Sequence, residues 1–409
     1  MRRLLILFLS AVVFCLTACN AGGGKDSGQK KSLAPEGLLL AYNRYDLEVY
    51  LRPLWYTREV YNETVLFVGE EDEAPLLYKP AQILSVTDYG LETEYVEGVD
   101  YAIEGNKIKR LLGSAIPFFA VEEYYRTTVS PSGVSIPVDK DKLSFPLTGD
   151  RYLLHGESDT FTSRQIAICY THNEEYKGEI PADKSQTFAA FNQKLQQGSN
   201  VSIVFYGDSI TRGSNSSGTS SGGMVKPYAP EWPVMVSSYI EERYGVEVTY
   251  QNKAVGGYRA GQGEAAFEST VLGKPADLLV LGFGMNDRTT TVPSYKSSIL
   301  AMTDAFLEQN PAGAVLLIST MLPNPESTSL WYGNQEHFLP ALLEISEGNT
   351  AVAVADMTTM HKQLLETGKR YRDMTGNNIN HPNDFLSRLY AQVALKALLG
   401  ADFCEEIYA

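Results

Sequence analysis

The sequence predicts a two-part protein: an α/β domain of three layers around a mostly parallel sheet, preceded by a smaller all-β sandwich. From residue 185 onward, apolar strands alternate with amphipathic helices, the pattern of a parallel sheet covered on both faces. Over residues 36–184, short β-branched and aromatic segments such as ETEYVEGVDYAIEGNKIKRL alternate with turn residues, which is typical of antiparallel strands. The chain has 409 residues, 44% of them hydrophobic, so it is long enough for two cores.

The elements of the second part follow one another in a regular order. PADKSQTFAAFNQKLQQGSN contains a proline, polar residues and a short amphipathic helix, and it predicts the domain boundary near residue 185. The segments that follow are VSIVFYG, a helix around Pro233 to Tyr244, VEVTYQN, DLLVLGF, a helix in SYKSSILAMTDAFLEQN, AVLLIST, another helix, AVAVAD, and a last helix in NDFLSRLYAQVALKALLG. In open sheets of this kind, ligands bind at the carboxyl ends of the strands.

The N-terminal segment MRRLLILFLSAVVFCLTAC predicts an export signal. Two arginines precede an apolar run of signal-peptide length, and small residues lead to Cys19. The residues LTAC resemble the end of a bacterial lipoprotein signal, which implies cleavage before Cys19 and lipid attachment to its sulfur. We expect residues 1–18 to be the signal and residues 19–35 a flexible tether, with the mature protein lipid-anchored in the cell envelope on the extracytoplasmic side of a membrane. An ordinary secretory signal or a membrane anchor is the alternative.

Charge and cysteine content disfavour several classes of protein. The chain has 34 basic and 49 acidic residues and a net charge of −15, which makes a nucleic acid an unfavourable partner. The cysteines form no CxxC pair and no Cys/His cluster with metal-ligand spacing, so we expect neither a metal site nor a cofactor. Cys169 and Cys404 are interpreted as separately buried thiols rather than as a disulfide.

Four short motifs place polar residues or glycines at successive strand ends. Ser209 follows the first apolar strand in FYGDSITRG, Gly256 and Gly257 follow the second in NKAVGGYRAG, Asn286 follows the third in GFGMND, and His381 precedes the last helix in GNNINHPND. Alone, each motif has a structural interpretation: a serine or asparagine that caps a helix, a glycine pair in a tight turn, and a histidine that packs. Because the carboxyl ends of parallel strands share one edge of a sheet, we expect these residues to lie together.

Such a group of residues fits nucleophilic attack on an ester. Ser209 is the candidate nucleophile, and His381 is the candidate base that takes its proton. The N–H groups of Ser209 and Gly257 and the amide of Asn286 are candidate donors to the oxyanion that develops on the substrate carbonyl.

These motifs resemble the four blocks of the SGNH (GDSL) hydrolase family. GDSIT matches the first block, NKAVGG the second, GMND the third, and HP within NINHPND the last, over about residues 195 to 400. The resemblance implies a flavodoxin-like α/β/α fold, hydrolysis of esters that are often acetyl groups on carbohydrate, and the roles given above for Ser209, Gly257, Asn286 and His381.

The last block departs from the family pattern. Most members have an aspartate three residues before the histidine, where this chain has Asn378. An asparagine cannot offset the charge of a protonated histidine, although the Asn378 oxygen or a backbone carbonyl can accept the ring N–H and fix the tautomer. Asp384 and Asp373 are other acidic candidates, interpreted as a helix cap and a surface charge. Asp208, beside the nucleophile, is interpreted as a residue that shapes the turn, with Gly256 supporting the same region.

Aromatic residues suggest contacts with sugar. Tyr228 is a candidate substrate-binding residue, whereas Trp232, Val236, Tyr239 and Ile240 are interpreted as the buried stripe of a helix. The order of a β-sandwich followed by this hydrolase domain resembles two-domain carbohydrate esterases in which a jelly roll precedes the hydrolase, and this resemblance implies a jelly-roll-like first domain. The tyrosines of the first part are compatible with either sugar stacking or core packing.

The sequence therefore predicts an extracytoplasmic serine esterase that removes acetyl or similar small acyl groups from carbohydrate. One alternative keeps this chemistry and changes the substrate to lipid or thioester acyl chains. A second alternative is a glycan-binding surface lipoprotein with an impaired hydrolase domain, which the missing aspartate motivates.

Overall fold

A computed structural model describes residues 47–127, 144–146 and 151–403 of the chain. The predicted signal, the tether, the candidate lipidation residue Cys19 and also Cys404 lie outside these residues. Within the described ranges, no helix has the length and apolar character needed to cross a bilayer.

The first part of the described chain consists of short strands. These are β1 (Glu59–Leu66), β2 (Glu73–Pro75), β3 (Pro80–Asp88), β4 (Tyr101–Glu104), β5 (Lys107–Arg110), β6 (Tyr125–Thr127), β7 (Ser144–Pro146), β8 (Arg151–Leu154) and β9 (Gln165–His172), with helices α1 (Leu47–Tyr50) and α2 (Val121–Tyr124) and a 3-10 turn (Thr162–Arg164). All strand pairs are antiparallel, in the sheets β1-β9-β3, β2-β5-β4 and β6-β8-β7. The predicted all-β first part is confirmed, and its strands are divided among three small sheets.

The second part alternates strands with helices, as its sequence pattern predicts. The strands are β10 (Val201–Gly207), β11 (Val248–Asn252), β12 (Leu278–Gly282), β13 (Ala314–Ile318) and β14 (Val352–Ala355). The helices are α3 (Ala189–Gln196), α4 (Ser209–Arg212), α5 (Trp232–Tyr244), α6 (Ala260–Thr270), α7 (Val292–Gln309), α8 (Phe338–Glu347), α9 (Met357–Glu366) and α10 (Asp384–Leu399). Short 3-10 segments occupy Ser220–Gly222, Pro325–Leu330, Asn334–His337, Tyr371–Asp373 and Gly400–Asp402. The predicted boundary at residue 185 falls between β9 and α3.

The five strands form one parallel sheet in the order β11-β10-β12-β13-β14. Val201, Ile203 and Phe205 of β10 face one core and Val204 and Tyr206 face another, because successive side chains of a strand point to opposite faces. Helices α3, α5, α9 and α10 pack in the first core, and α6, α7 and α8 pack in the second. The predicted α/β/α fold is confirmed.

The carboxyl end of β10 is the topological switch point of this sheet. The chain continues from β10 to β11 on one side and later pairs β12 with its other side, so the connections diverge at that end. A crevice at such a point is where open α/β sheets bind their ligands.

Helix α10 lies between the two parts of the chain. Every one of its residues is buried, and it contacts β13 and β14 of the parallel sheet and β1 of the β-rich part. A helix that is buried on every side needs partners on all sides, and here the β-rich part covers the side that the sheet leaves open. One hydrophobic core therefore includes Phe385 and Leu389 of α10 together with Val60 and Ile168 of the β-rich part.

Buried ion pairs also join the two parts. Lys369 Nζ lies 2.6 Å from Glu63 Oε1 on β1, and the two side chains are 1% and 0% exposed. The nearby Asp373 is fully buried, accepts a hydrogen bond from the Leu66 N–H and pairs with Arg370. Burial alone raises the pKa of Asp373, but the charges of Arg370 and Lys369 outweigh it and hold the pKa below its usual value. The interpretation of Asp373 as a surface charge is therefore wrong.

Candidate active site

Ser209 lies directly beyond the carboxyl end of β10 and is the first residue of α4. The helix is capped by Asp208, whose Oδ1 accepts the Ile210 N–H at 2.9 Å, and it ends at Gly213 in the left-handed region with φ 85°. Asp208, rather than Ser209, is thus the cap. Ser209 is 5% exposed, and the short helix turns its hydroxyl toward His381.

His381 reaches Ser209 from the loop before α10. Asn377 shapes this loop, because its Oδ1 accepts the backbone N–H groups of Ile379, Asn380 and His381, each at 3.0 Å. His381 Nε2 lies 2.9 Å from Ser209 Oγ, and the residue is 8% exposed. A serine hydroxyl hydrogen-bonded to an imidazole is the arrangement that activates a serine nucleophile.

The other ring nitrogen of His381 contacts two side chains that are not among the predicted site residues. Nδ1 lies 2.6 Å from Asn215 Oδ1 and 3.4 Å from Glu157 Oε2. The Asn215 amide group faces the carbonyls of Ser158 and Gly376, both at 3.4 Å, so its oxygen is the atom turned to the ring. Nδ1 then carries the proton and Nε2 is free to accept the Ser209 hydroxyl.

No local signal in the sequence distinguishes these two residues. Asn215 belongs to GSNSSGTSSGG, whose composition is that of a loop. Glu157 lies before residue 185, outside the part of the chain that resembles a hydrolase. Only the packing of the β-rich part against the loop of His381 brings Glu157 to the ring.

Asn378 does not contact His381, which corrects the prediction that it orients the ring. Its backbone adopts the left-handed conformation with φ 69°, and its amide points to the β-rich part instead. Nδ2 donates to the Leu154 carbonyl at 2.9 Å, and Oδ1 accepts from the Tyr124 hydroxyl at 2.9 Å. Asn378 therefore ties the loop of His381 to strand β8.

Asp384 is not among the side chains that contact the Nδ1 atom of His381. The cap of α10 is Asn383, whose side chain accepts the Leu386 N–H, so the interpretation of Asp384 as the cap is off by one residue. Asp384 Oδ1 accepts the Ser217 N–H at 2.8 Å, which anchors the loop that carries Asn215. Burial raises the pKa of Asp384 to about 6 despite this hydrogen bond.

The glycine pair and Asn286 lie at the neighbouring strand ends. A Cβ atom on Gly256 would lie 3.9 Å from Ser209 Cβ, which places this turn directly against the serine. Gly257 has φ 80°, a conformation that glycine adopts without strain. Asn286 is half-buried, and its Nδ2 donates one hydrogen to the Tyr258 carbonyl at 3.0 Å. The second amide hydrogen remains for another acceptor.

Asp208 connects the ends of β10 and β12. Its Oδ2 accepts the Met285 N–H at 3.3 Å, next to Asn286, while its Oδ1 caps α4. Burial raises the pKa of Asp208 to about 7, with a further contribution from the charge of Asp287. These contacts agree with a carboxyl group that shapes the turn and holds two strand ends in register.

The apolar and aromatic residues after α4 differ in burial as their spacing predicts. Trp232, Val236, Tyr239 and Ile240 are all buried. Tyr228 is half-buried with φ 59°, and its N–H donates to the Val225 carbonyl. A role for Tyr228 in substrate binding stays a prediction. Among the described residues, no group of three His, Cys, Asp or Glu side chains is placed to hold a metal ion.

Comparison with solved structures finds esterases and hydrolases at low identity. A two-domain esterase (CEX) active on acetylated mannans is 20% identical, with a TM-score of 0.44 over 55% of this chain and 56% of its own. A variant of Axe2, an acetyl xylan esterase from Geobacillus stearothermophilus, is 18% identical, with a TM-score of 0.39 over 49% of this chain and 94% of its own. LAE5, an alpha/beta hydrolase enzyme from the metagenome of Lake Arreo, Spain, is 15% identical, with a TM-score of 0.40 over 48% of this chain and 94% of its own. This chain thus spans little more than half of the mannan esterase.

Comparison of the sequence with curated proteins finds no match. Comparison with protein families matches residues 205–388 to the GDSL-like Lipase/Acylhydrolase family. The matched segment begins in β10, ends in α10 and contains Ser209, Gly257, Asn286 and His381. Residues 205–388, somewhat less than half of the chain, are therefore similar to a GDSL-like lipase/acylhydrolase domain.

Proposed function

We propose that this protein is a serine esterase that hydrolyses O-acetyl or similar small acyl esters on carbohydrate through an acyl-enzyme intermediate. The observation that carries the proposal is the 2.9 Å contact between Ser209 Oγ and His381 Nε2, with Nδ1 held by Asn215. At this distance the Ser209 hydroxyl can pass its proton to the imidazole without a rearrangement of either side chain.

In the first half of the reaction, Ser209 Oγ attacks the acyl carbon while its proton passes to His381 Nε2. The electron pair of the carbonyl moves to its oxygen, where the N–H groups of Ser209 and Gly257 and the free amide hydrogen of Asn286 stabilise the negative charge. The carbonyl reforms, the sugar hydroxyl leaves with the proton from Nε2, and the acyl group stays on Ser209.

The second half uses the same groups on water. His381 Nε2 takes a proton from water, the hydroxide attacks the acyl carbon, and the carboxylic acid leaves as Ser209 Oγ regains the proton. Asn215 Oδ1 keeps the Nδ1–H pointing away from the substrate in both halves, so the ring stays in the tautomer that can act as a base.

The first experiment is hydrolysis of p-nitrophenyl acetate by wild type, Ser209→Ala and His381→Ala. We expect each variant to lose about 10⁴-fold or more in kcat, because nucleophile and base act as a unit. Circular dichroism checks that the variants are folded. Equal rates in all three proteins would overturn the proposal and leave a binding role as the better account.

The second experiment addresses the substrate. The comparison proteins are named for acetylated mannans and acetyl xylan, so these polymers are the first test substrates. We expect acetate release from at least one acetylated glycan by wild type and none above background by Ser209→Ala. A preference for long-chain p-nitrophenyl esters with no release from glycans would favour the lipid or thioester alternative.

We further propose that a lipid on Cys19 anchors the protein to a membrane of the cell envelope. The support is the sequence pattern that ends at this cysteine. Radiolabelled fatty acid is expected to appear in the wild-type protein and not in Cys19→Ser. Equal labelling of the two would contradict it.

A further inference from the structure

A carboxylate from the β-rich part lies beside the imidazole that the proposed reaction uses. Glu157 follows strand β8, and its Oε2 lies 3.4 Å from His381 Nδ1. Its other oxygen accepts the Asn377 amide at 3.1 Å and lies 3.5 Å from His155 Nε2. Asn377 is the residue that shapes the backbone before His381, so Glu157 touches both the ring and the loop that carries it.

The segment that carries Glu157 is tied on one side to the loop of His381 and on the other side to the loop of Asn215. Before Glu157, the Leu154 carbonyl accepts the Asn378 amide at 2.9 Å. After Glu157, the Ser158 carbonyl accepts the Asn215 amide at 3.4 Å. Asn378 occupies the position at which most family members have an aspartate. Its side chain instead binds the end of β8, and the segment after β8 places the carboxylate of Glu157 beside His381.

Glu157 is negatively charged near neutral pH. Burial on its own raises the pKa of Glu157, but hydrogen bonds with His155 and His381 and the charge of the imidazolium outweigh it and hold the pKa well below its usual range. The side chain is 48% exposed, so water screens part of its charge.

We propose that Glu157 is the positioning carboxylate of His381 and that the β-rich part thereby completes the active site of the hydrolase domain. The proposal rests on the proposed function, since it assigns to Glu157 an effect on the base of that reaction. In a Ser-His-Asp triad, one aspartate both fixes the tautomer of the histidine and stabilises its positive charge. Here these two roles belong to different side chains. Asn215 holds the tautomer, and Glu157 supplies the negative charge.

The charge matters when the proton of Ser209 reaches Nε2 and the ring becomes an imidazolium. A carboxylate 3.4 Å from Nδ1 stabilises that cation. Replacement of the triad aspartate by asparagine in a serine protease costs about 10⁴-fold, partly because the ring takes the wrong tautomer. Asn215 keeps the tautomer here and solvent screens Glu157, so we expect Glu157→Gln to lose about 10- to 100-fold in kcat.

The test compares Glu157→Gln with wild type in kcat, KM and the pH profile of kcat/KM on p-nitrophenyl acetate. Loss of the carboxylate makes the protonated ring less stable, so the acid limb of the profile moves to lower pH, by about one unit for a tenfold effect. KM stays within about twofold, because the proposed role of Glu157 is to act on the base and not to bind substrate. Glu157→Asp restores part of kcat and of the pH shift, since it returns the charge at a longer distance.

Two controls assign the shift. Among the described residues, Glu157 also contacts the titratable His155, while Ser209, Asn215 and Asn377, which hydrogen-bond to the ring or its carboxylate, are uncharged. The guanidinium of Arg212 lies beside Gly256, whose turn faces Ser209. The measurement is therefore repeated in a His155→Gln background, where the shift persists if it belongs to Glu157. Glu179→Gln, an exposed glutamate of the chain before residue 185, is the matched control and leaves both kcat and the profile unchanged.

The outcomes separate this inference from the proposed function. If Ser209→Ala is inactive but Glu157→Gln keeps the kcat and pH profile of wild type, the inference is overturned and the esterase proposal stands. A loss of kcat in Glu157→Gln without a shift of the acid limb, or with a matching loss of folded protein, indicates a structural role and also overturns it. If Ser209→Ala is as active as wild type, both fail.

Discussion

The two parts of the chain contribute to the site in different ways. The parallel sheet brings Ser209, the glycine turn and Asn286 to neighbouring strand ends, and their positions follow from the topology of that sheet. The β-rich part has no residue in the proposed covalent steps, yet it covers α10 and places Glu157 beside His381. The groups proposed to react therefore come from the α/β part, whereas the side chains that contact the imidazole of His381 come from both parts.

The largest expected effect tests how firmly the two parts are joined. In Lys369→Met, Glu63 keeps the Tyr170 hydroxyl and the Leu77 N–H as partners but loses the cation that balances its buried charge. Breaking a buried pair in this way costs about 3–5 kcal/mol in the free energy of unfolding. Urea denaturation followed by circular dichroism measures the loss.

An exposed ion pair serves as the matched control for that experiment. Lys194 pairs with Asp277 within the α/β part, with the two side chains 50% and 24% exposed. Because solvent screens this pair, Lys194→Met is expected to cost less than about 1 kcal/mol. Equal losses for the two substitutions would show that the contact between the parts adds no more stability than a surface pair.

The next prediction concerns the α/β part alone. Asn286→Ala removes the amide proposed to stabilise the oxyanion, and kcat for p-nitrophenyl acetate is expected to fall about 10²- to 10³-fold. The acid limb of the pH profile stays in place, because the environment of His381 is unchanged. An unaltered kcat would show that Asn286 is not part of the oxyanion hole. A shifted acid limb would show that Asn286 also affects the protonation of His381.

The smallest of these effects concerns the partner of Nδ1. Asn215→Ala removes the acceptor 2.6 Å from the ring, and loss of a hydrogen bond to a charged group predicts a fall of about 10- to 100-fold in kcat. Asn192→Ala is the matched control, since its amide donates to the Leu398 carbonyl away from the proposed site. If both variants keep the wild-type kcat, Asn215 does not hold the tautomer.

The same comparison explains how much of the molecule the sequence predicts. Strand and helix periodicity is local, so the parallel sheet follows from the pattern of its segments, whereas the pairing of Ser209 with His381 follows from the resemblance to the family's motif blocks. Asn215 and Glu157 lie in segments without periodicity, and their contacts with His381 depend on long-range packing. The spacing of Asn378 from His381 predicts a contact with the ring, but its left-handed backbone directs the side chain to β8 instead.

The burial of Asp373 also depends on packing between distant segments of the chain. A carboxylate in a polar stretch of sequence is ordinarily exposed. Here the side chains of Arg370 and Lys369 and the N–H of Leu66 offset the cost of burying it, and two of these three residues are close to it in sequence. The third comes from β1, and only the contact between the two parts supplies it.

The most direct test of the proposed catalytic mechanism measures the reactivity of Ser209 itself. A fluorophosphonate ester phosphonylates an activated serine with loss of fluoride, and intact-mass measurements over time give the rate. We expect one addition, located at Ser209, that is abolished in Ser209→Ala, nearly abolished in His381→Ala and slowed about 10- to 100-fold in Glu157→Gln. Labelling of Ser209 at the wild-type rate in His381→Ala, or a single addition at another residue, would contradict it.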